Sequence, residues 1–428
     1  MRFALVTLGS TGDLYPFLAV GRALVEQGHE VALLSQEPYR AEAARAGLQF
    51  VPVADARQHQ RTLAHPKLWH PVEGFGVLWR HLCLPAALPT WEALQALSSS
   101  GGVGAAQPLR VLASPLAIGA RLARDTGPIR LWSAYLSPAA FRRLDNPMFV
   151  GPWQVPRWWP EAGRRWAWQM LDRWKLEPLA RATVERLIAQ VGAQPIAGSV
   201  FGDWIHSPDG GLAFYDEGFC SLPSRTAGRA TRSPPQHPIH QIGFPNFEWE
   251  APAAPGPTLP FDAAPWIVFG GSAGTLGKSD AYALASHLTD RSDRPAVLLD
   301  ARLTGPKRLS STLLGLPMQP LPALLQHAHG FVHHAGIGSC AQGLAAGIPQ
   351  FLIPRAYDQF ENAAALERSG SGWVAPHALR NAPAAQLARW IAQLDPEPAR
   401  RAMVPNHSHP SAPNVAVREA VSRLTAAD

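Results

Sequence analysis

Short apolar runs alternate with helix-like segments at both ends of this 428-residue chain, and glycine-containing loops separate them. Near the N-terminus the apolar run Phe3–Leu8 is followed by a loop at Gly9–Tyr15 and by a helical pattern over Pro16–Gln27. A strand, a crossover helix and a second strand make a βαβ unit, and successive units build a parallel sheet. The spacing therefore predicts an α/β protein with parallel sheets.

This alternation runs through the first third of the chain and starts again near residue 266. Further strands and helices are predicted at Glu30–Ser35, Tyr39–Ala46, Leu48–Val53, Val111–Ala113, Arg130–Ser133, Trp266–Phe269, Ser279–Thr289, Ala296–Leu299 and Gln350–Ile353. Between the two halves, Arg225–Pro260 is rich in proline, which is typical of a boundary segment. The pattern predicts two doubly wound domains, 1–228 and 261–410, with a linker at 229–260 and a cleft between the domains.

The composition narrows the range of partners. Charged residues make up 16% and the net charge is +6, which favours an acidic small molecule or an anionic membrane surface over nucleic acid. The cysteines Cys83, Cys220 and Cys340 are far apart, which excludes a disulfide scaffold and suggests a reducing compartment. The first apolar run is too short for a signal peptide, and no apolar run reaches about 18 residues. We therefore expect a cytoplasmic protein, with peripheral attachment to the inner face of the membrane left open.

The densest group of residues with ligand-binding chemistry lies where a strand containing Phe331 and Val332 turns through glycines into a helix. Gly336 and Gly338 let the backbone approach a ligand, and the N–H groups and dipole of the first helical turn favour an anion. His334 can donate a hydrogen bond to a phosphate oxygen. The alternative is that the glycines serve only a tight turn.

Two polar residues, Asp358 and Gln359, follow the predicted strand Gln350–Ile353. The carboxyl ends of parallel strands meet at one edge of a sheet, where open α/β folds bind their ligands. Asp358 and Gln359 would offer acceptors and donors to sugar hydroxyls at the edge that carries His334.

The block that begins at His334 resembles the nucleotide-sugar signature of glycosyltransferase family 1. That signature has a histidine before a glycine turn, a small-Gly-Ile-Pro motif as at 346–349, and a terminal Asp-Gln with Asn three positions on, as at 358–362. The opening loop Gly9–Pro16, with Gly28-His29 after it, is similar to that of bacterial members.

Within the family, three further stretches resemble the catalytic subunit of the rhamnolipid-type rhamnosyltransferases. These stretches are His65–Trp69, Gly74–Trp79 and Trp204–Pro208. The resemblance implies a GT-B fold, with two Rossmann-like doubly wound domains facing a central cleft. It places the acceptor in the N-terminal domain and the nucleotide sugar in the C-terminal domain, and implies that 411–428 returns to the N-terminal domain.

The reaction that the resemblance implies is an inverting, metal-independent sugar transfer. The first candidate is L-rhamnose, moved from dTDP-L-rhamnose to a hydroxylated lipid such as a 3-(3-hydroxyalkanoyloxy)alkanoic acid. No cofactor other than the nucleotide-sugar co-substrate and no nucleic-acid partner are expected. One alternative is a family 1 enzyme that uses UDP-glucose or another donor on a sterol or polyketide. A second alternative is a non-catalytic protein that binds nucleotide sugars or lipids.

The resemblance also assigns residues to the donor site. They are Ser10, Thr11, Gly12, Ser272, Met318, Gln319, His334, Gly336, Gly338, Ser339, Gln342, Asp358 and Gln359. The histidines at 327, 329, 333 and 334 match no usual zinc spacing, so no metal is expected.

Two of these positions depart from plant members of the family. Gln342 stands where they hold the ribose hydroxyls through a glutamate, and Met318 lies near the position of their base-stacking aromatic residue. A hydrogen bond to a carboxylate contributes roughly 1.5–3 kcal/mol, against about 1 kcal/mol for a neutral one. The loss of the carboxylate therefore suits a deoxyribose donor such as a dTDP-sugar.

Asp13 is the candidate catalytic residue. It lies in the predicted loop after the first strand, where most family members have histidine and several bacterial ones have aspartate. As an inverting general base it would take the proton of the acceptor hydroxyl. The residues alone allow another role, the N-cap of a helix that starts at Tyr15–Pro16.

Six of the fifteen tryptophans lie between Trp153 and Trp174, and four arginines interleave with them. Such a stretch suits a membrane interface or an anionic lipid, and its rival interpretation is core packing or the lining of a cleft. Stacking on single-stranded nucleic acid is a third possibility, which no RNA-binding motif supports. Acceptor contacts are expected from Trp79, Trp158, Trp159 and Trp166.

Overall fold

The computed structural model describes residues 1–99, 108–145, 148–223, 238–245, 259–271, 276, 278–399 and 413–426. Contacts divide the chain into two compact units, one made of 1–247 with 411–428 and the other of 248–410. Within the described ranges, none of the helices combines the length and apolar character that a membrane crossing requires.

The first unit is built on a seven-stranded parallel sheet. In sheet order its strands are β3 (Gln49–Ala54), β2 (Glu30–Gln36), β1 (Arg2–Val6), β4 (Leu109–Ala113), β5 (Ile129–Tyr135), β8 (Gly211–Ala213) and β9 (Ile239–Gln241). The five strands predicted here are confirmed, each to within two residues. They were recognisable because a strand covered on both faces is a continuous apolar run, as in β1, where 3–6 are all buried.

Helices and a short hairpin complete the first unit. The hairpin pairs β6 (Phe149–Val150) with β7 (Trp153–Gln154). The helices are α1 (Thr11–Glu26), α2 (Arg40–Arg45), α3 (Ala56–Leu63), α4 (Gly74–Leu78), α5 (Ala87–Ser99), α6 (Ile118–Thr126), α7 (Glu161–Leu171), α8 (Glu177–Val191) and the C-terminal α15 (Pro413–Thr425). Helix α15 packs on α1, and Arg110 Nη1 donates a hydrogen bond to the carbonyl oxygen of Leu424 at 2.5 Å.

Two predictions in the first unit are wrong in detail. The predicted loop at Gly9–Tyr15 is largely helical, because α1 begins at Thr11 and Pro16 lies inside it. Ser10 and Asp13 start the helix early by forming a capping box, in which each side chain serves the other residue's backbone. The segment 229–260, predicted as a linker, includes β9, which pairs in parallel with β8 and so belongs to the sheet.

A second seven-stranded sheet forms the core of the other unit, and it is parallel except for the antiparallel edge strand β12. In sheet order its strands are β12 (Lys307–Arg308), β13 (Leu313–Leu316), β11 (Ala296–Leu299), β10 (Trp266–Phe269), β14 (Gly330–His333), β15 (Gln350–Leu352) and β16 (Gly372–Val374). The helices are α9 (Lys278–Ser292), α10 (Leu321–Leu325), α11 (Ile337–Ala345), α12 (Gln359–Arg368), α13 (His377–Arg380) and α14 (Ala384–Ala392). Apolar clusters cover both faces of the sheet.

Each sheet has a point at which the direction of strand addition reverses. In the first sheet β1 lies between β2 and β4, and in the second β10 lies between β11 and β14. Open α/β sheets bind ligands in the crevice beyond the carboxyl ends of the strands at such switch points. The loops that follow β1 and β14 are therefore where the topology places ligand-binding residues.

Candidate active site

The loop that follows β14 is held in one conformation. Ala335 is not glycine, yet its φ is +63°, a strained value that is retained mainly at functional sites. Its N–H donates to His333 Nδ1 at 3.2 Å, and its carbonyl oxygen accepts a hydrogen bond from Asn362 Nδ2 at 3.1 Å. The turn that leads into α11 is therefore fixed from both sides.

The two adjacent histidines have different environments. His333 is fully buried, and its Nε2 donates to Gln350 Oε1 at 2.9 Å while its Nδ1 accepts from the Ala335 N–H. Burial lowers the pKa of His333 to about 3 and that of His334 to about 4, so both rings are neutral near pH 7. His334 Nδ1, however, is buried without a hydrogen-bond partner among the described residues. An unsatisfied buried nitrogen requires an explanation, and a bound ligand would supply its partner.

Glycines leave room at the start of α11. A Cβ atom at Gly336 would lie 2.5 Å from His334 Nε2, so only glycine fits beside that ring. A Cβ atom at Gly338 would meet nothing within 4 Å, so the first turn of the helix is open. The N–H groups of this turn have no intrahelical acceptor and carry the positive end of the helix dipole. The arrangement can bind an anion.

The same helix carries a second unsatisfied atom. Gln342 Oε1 is buried without a hydrogen-bond partner in the part of the chain that the structure describes. Ser339, also predicted to bind the donor, is buried in the first turn of the same helix. The predicted residues His334, Gly336, Gly338 and Gln342 therefore all belong to the loop after β14 and the first two turns of α11.

The side chains of the predicted pair Asp358-Gln359 hydrogen-bond to neighbouring loop and helix residues, which the sequence did not indicate. Gln359 is buried, and its Oε1 accepts hydrogen bonds from the backbone N–H groups of Arg355 at 2.8 Å and Ala356 at 3.0 Å. Asp358 Oδ2 accepts from Asn362 Nδ2 at 2.7 Å, the same amide that holds the Ala335 carbonyl. Asn362 thus links the two loops of the site. Its position four residues after Asp358, one helical turn on, was the available signal.

The remaining donor-site predictions fall in three places, and Ser10, Thr11 and Gly12 lie in the first unit, at the start of α1. Met318 and Gln319 follow β13, and the Met318 side chain is exposed. Ser272 lies outside the described residues. Among the described residues, no group of three or more His, Cys, Asp or Glu side chains could hold a metal ion.

In the first unit the loop after β1 is built around Asp13. Asp13 Oδ2 accepts hydrogen bonds from the Ser10 backbone N–H at 2.7 Å and from Ser10 Oγ at 2.9 Å. The φ of Gly9 is +144°, and a Cβ atom there would clash with Asp13 Oδ2. Desolvation by burial raises the pKa of Asp13, although the hydrogen bonds from Ser10 oppose it. Asp13 is therefore both a helix-capping residue and a carboxylate with more proton affinity than usual.

Three polar residues that the sequence did not point to hold this loop in place. Gln36 Nε2 and Tyr39 Oη donate to the carbonyl oxygen of Gly9 at 2.7 and 3.0 Å. Gln36 Nε2 also lies 3.3 Å from His59 Nδ1. Burial, and then the nearby charge of Asp13, raise the pKa of Tyr39. Gln36 is fully buried, and the one local sign of its role was a polar residue at the end of an apolar strand.

Comparison with known proteins identifies the class of protein in which the loops after β1 and β14 occur. Residues 3–116 match the glycosyltransferase family 28 N-terminal domain. Residues 311–426 match the erythromycin biosynthesis protein CIII-like C-terminal domain. The chain is a GT-B glycosyltransferase.

Relatives of the glycosyltransferase extend over most of its length. It is 26% identical over 422 residues to O-mycaminosyltylonolide 6-deoxyallosyltransferase of Streptomyces fradiae, a match that covers 94% of this chain and 92% of that protein. The glycotransferase of kitacinnamycin superposes with a TM-score of 0.68 at 20% identity, over 99% of this chain and 98% of that one. Spinosyn rhamnosyltransferase SpnG complexed with thymidine diphosphate superposes with a TM-score of 0.58 at 18% identity, over 94% of each chain. A specific relation to the rhamnolipid-type enzymes stays a prediction.

One acceptor residue predicted for the glycosyltransferase lies in its core. Trp79 is 0% exposed and packs edge-on against Phe201, with ring centroids 4.7 Å apart. It begins a π-helical turn, Trp79–Cys83, that continues α4 and directs the ring inward. The ring of Trp79 therefore packs in the core, although its Nε1 is buried without a hydrogen-bond partner among the described residues, and its contact with the acceptor stays a prediction.

The tryptophan-rich stretch of the glycosyltransferase instead forms an apolar groove of about 380 Å³. Its wall includes Val150, Trp153, Val155, Trp159, Trp166 and Met170. Two of the predicted acceptor residues, Trp159 and Trp166, thus line a cavity. Trp158 does not line the groove but contacts Trp159 edge-on, at a centroid distance of 6.4 Å.

Proposed function

We propose that the protein transfers a deoxyhexose, with L-rhamnose as the first candidate, from a dTDP-sugar to a hydroxylated lipophilic acceptor, with inversion and without a metal. The observation that carries this proposal is a pair of buried atoms without a hydrogen-bond partner among the described residues, His334 Nδ1 in the loop before α11 and Gln342 Oε1 in its second turn. A nucleoside diphosphate sugar offers both the anion that the helix start favours and the hydroxyls that neutral side chains can bind.

The diphosphate is the leaving group, so its developing charge must be stabilised. The α11 N–H groups and a neutral His334 N–H would do this without a metal ion, in the manner of an oxyanion site. Because burial keeps the pKa of His334 at about 4, the ring donates a hydrogen bond as a neutral group. Names of related proteins support a thymidine nucleotide and a deoxysugar: the relatives include a 6-deoxyallosyltransferase and a rhamnosyltransferase complexed with thymidine diphosphate.

The nucleotide preference tests the proposed donor directly. With the same glucosyl group on both nucleotides, we expect dTDP-glucose to be used better than UDP-glucose, because Gln342 lacks the charge that strengthens a ribose hydrogen bond. The variant Gln342→Glu should shift kcat/KM toward UDP-glucose by about fivefold, the difference between a charged and a neutral hydrogen bond. Competition kinetics measures both. A wild-type enzyme that prefers UDP-glucose by about tenfold or more would overturn the donor assignment.

Asp13 would act as the general base. Both of its hydrogen bonds from Ser10 reach Oδ2, which leaves Oδ1 to accept the proton of the attacking hydroxyl. The raised pKa of this carboxylate brings its proton affinity closer to neutral pH, where a general base is most effective. The helix cap and the catalytic role therefore use different oxygens of one side chain.

The acceptor would bind in the apolar groove of the first unit. Its aromatic and aliphatic lining suits an alkyl chain, as in a 3-(3-hydroxyalkanoyloxy)alkanoic acid, better than a polar sugar. A macrolide-like polyketide is the second candidate, because one relative acts on a tylonolide derivative according to its name. Parallel assays with a hydroxylated fatty acyl ester and a macrolide aglycone would separate the two.

Removing groove side chains should raise the KM for the acceptor. We expect Trp159→Ala and Trp166→Ala each to raise it about fivefold or more, because large aromatic contacts carry most of the binding free energy. The KM for the donor should not change. A matched control is Trp390→Ala, which removes a partly buried tryptophan from the second unit. Unchanged acceptor kinetics in both groove variants would place the acceptor elsewhere.

A further inference from the structure

Four tryptophans of the first unit are exposed to an unusual degree. The exposed fractions are 58% for Trp153, 81% for Trp158, 54% for Trp166 and 68% for Trp174. Single exposed apolar residues are common on protein surfaces, but several large rings within 22 residues form a patch that marks an interaction site. An indole ring combines an apolar face with an N–H edge, so it is suited to the boundary between water and an apolar phase.

The charges of this stretch have one prevailing sign. Between 149 and 176 there are five cationic residues and two acidic ones, a net charge of +3. Both acidic residues are already paired: Glu161 with Arg165 at 2.8 Å, and Asp172 with Arg142. The exposed cationic side chains of the stretch are Arg157, Arg173 and Lys175. We refer to these three residues with the four exposed tryptophans as the tryptophan-rich face.

The apolar groove opens beside two of the exposed rings. Trp153 and Trp166 belong to both the groove and the tryptophan-rich face, since each lines the groove and is more than half exposed. Trp158 packs on Trp159, a further groove residue, and the Arg173 guanidinium lies 5.6 Å from the ring centroid of Trp174. A lipophilic molecule could therefore enter the groove from whatever apolar phase covers the face.

We propose that the tryptophan-rich face docks on the surface of an anionic phospholipid bilayer, with the indole rings at headgroup level and the cationic side chains on the lipid phosphates. Rings with a polar edge and a surrounding net positive charge are the combination that interfacial binding to anionic lipids requires. The bilayer would then provide both the docking surface and the lipophilic acceptor. That last step rests on the proposed function, whereas the docking itself does not.

Docking can be measured without donor or acceptor. The full chain is mixed with vesicles of phosphatidylcholine alone or of phosphatidylcholine with phosphatidylglycerol, and the bound fraction is determined by sedimentation at low and high salt. We expect binding to the anionic vesicles that weakens at high salt, and much weaker binding to neutral vesicles. Arg173→Gln/Lys175→Gln should weaken binding to the anionic vesicles about fivefold for each charge removed. Trp158→Ala/Trp174→Ala should lower the bound fraction at every salt concentration.

Matched controls are available outside the face. Tyr282→Ala removes an exposed aromatic ring from the second unit, and Arg186→Gln removes an exposed charge from α8. Both variants should bind anionic vesicles like the wild type, and circular dichroism should show all variants folded. Failure of the wild type to bind anionic vesicles, or equal binding by the tryptophan variant, would overturn the proposal. Turnover of a water-soluble acceptor would be unaffected by that outcome, so it would leave the proposed function standing.

Discussion

Replacing Asp13 by asparagine is expected to lower kcat at least about 10²-fold, the lower range for loss of a general base. The amide can still accept the two hydrogen bonds from Ser10, so the start of α1 should remain intact. What the amide cannot do is hold the proton of the acceptor hydroxyl. The dissociation constant for dTDP, measured by calorimetry, should therefore not change while turnover collapses.

A second aspartate provides the control for the capping role. Asp55 caps α3, with its Oδ1 accepting a hydrogen bond from the Gln58 N–H at 2.7 Å. Asp55→Asn makes the same chemical change at a helix start and should leave kcat unchanged, with a small effect on the melting temperature. If Asp13→Asn behaves like Asp55→Asn, the carboxylate of Asp13 serves only the helix.

Replacing His334 by alanine is expected to weaken binding of dTDP about 10-fold to 100-fold. A hydrogen bond to a charged group contributes roughly 1.5–3 kcal/mol, and the neutral ring of His334 would donate one to the diphosphate. The fold should be retained, because among the described residues the ring's Nδ1 has no protein partner to lose. Calorimetry with dTDP measures the change directly.

Two comparisons make the His334 result specific. His377→Ala removes an exposed histidine from the same unit and should leave the affinity for dTDP unchanged. The affinity for an acceptor should also be unchanged in His334→Ala, since the proposed acceptor groove lies in the first unit. An unaltered dissociation constant for dTDP would remove His334 from the donor site.

The adjacent histidines show why a sequence motif identifies a site better than it identifies roles. By residue type alone, His333 and His334 are equivalent candidates for binding the diphosphate, and both are followed by the same glycine turn. Only the packing of β14 against β15 brings Gln350 to His333 and satisfies that ring, which leaves His334 as the unsatisfied one. The same holds for Gln359, whose carbonyl oxygen is used by the loop before α12 rather than by a ligand.

Local physical chemistry determined a large part of this protein from sequence alone. Buried parallel strands are short apolar runs, and glycines mark the turns at which strands become helices, so the parallel sheets and the loop after β14 followed from the pattern. The match between that loop and a nucleotide-sugar signature led to the GT-B fold and to glycosyl transfer, both of which are confirmed.

Tertiary structure decided what depends on partners distant in the chain. Trp79 and Trp158 are the same residue type and were both predicted to contact the acceptor, yet Trp79 is buried against Phe201 and Trp158 is largely exposed. The Gly9 loop is held by Gln36, at the end of the next strand, and by Tyr39, just beyond it. Burial and hydrogen-bond satisfaction are properties of the packed chain. They are set by residues that the fold brings together. A sequence pattern therefore identifies the candidate binding residues but does not decide which of them are free to bind a ligand.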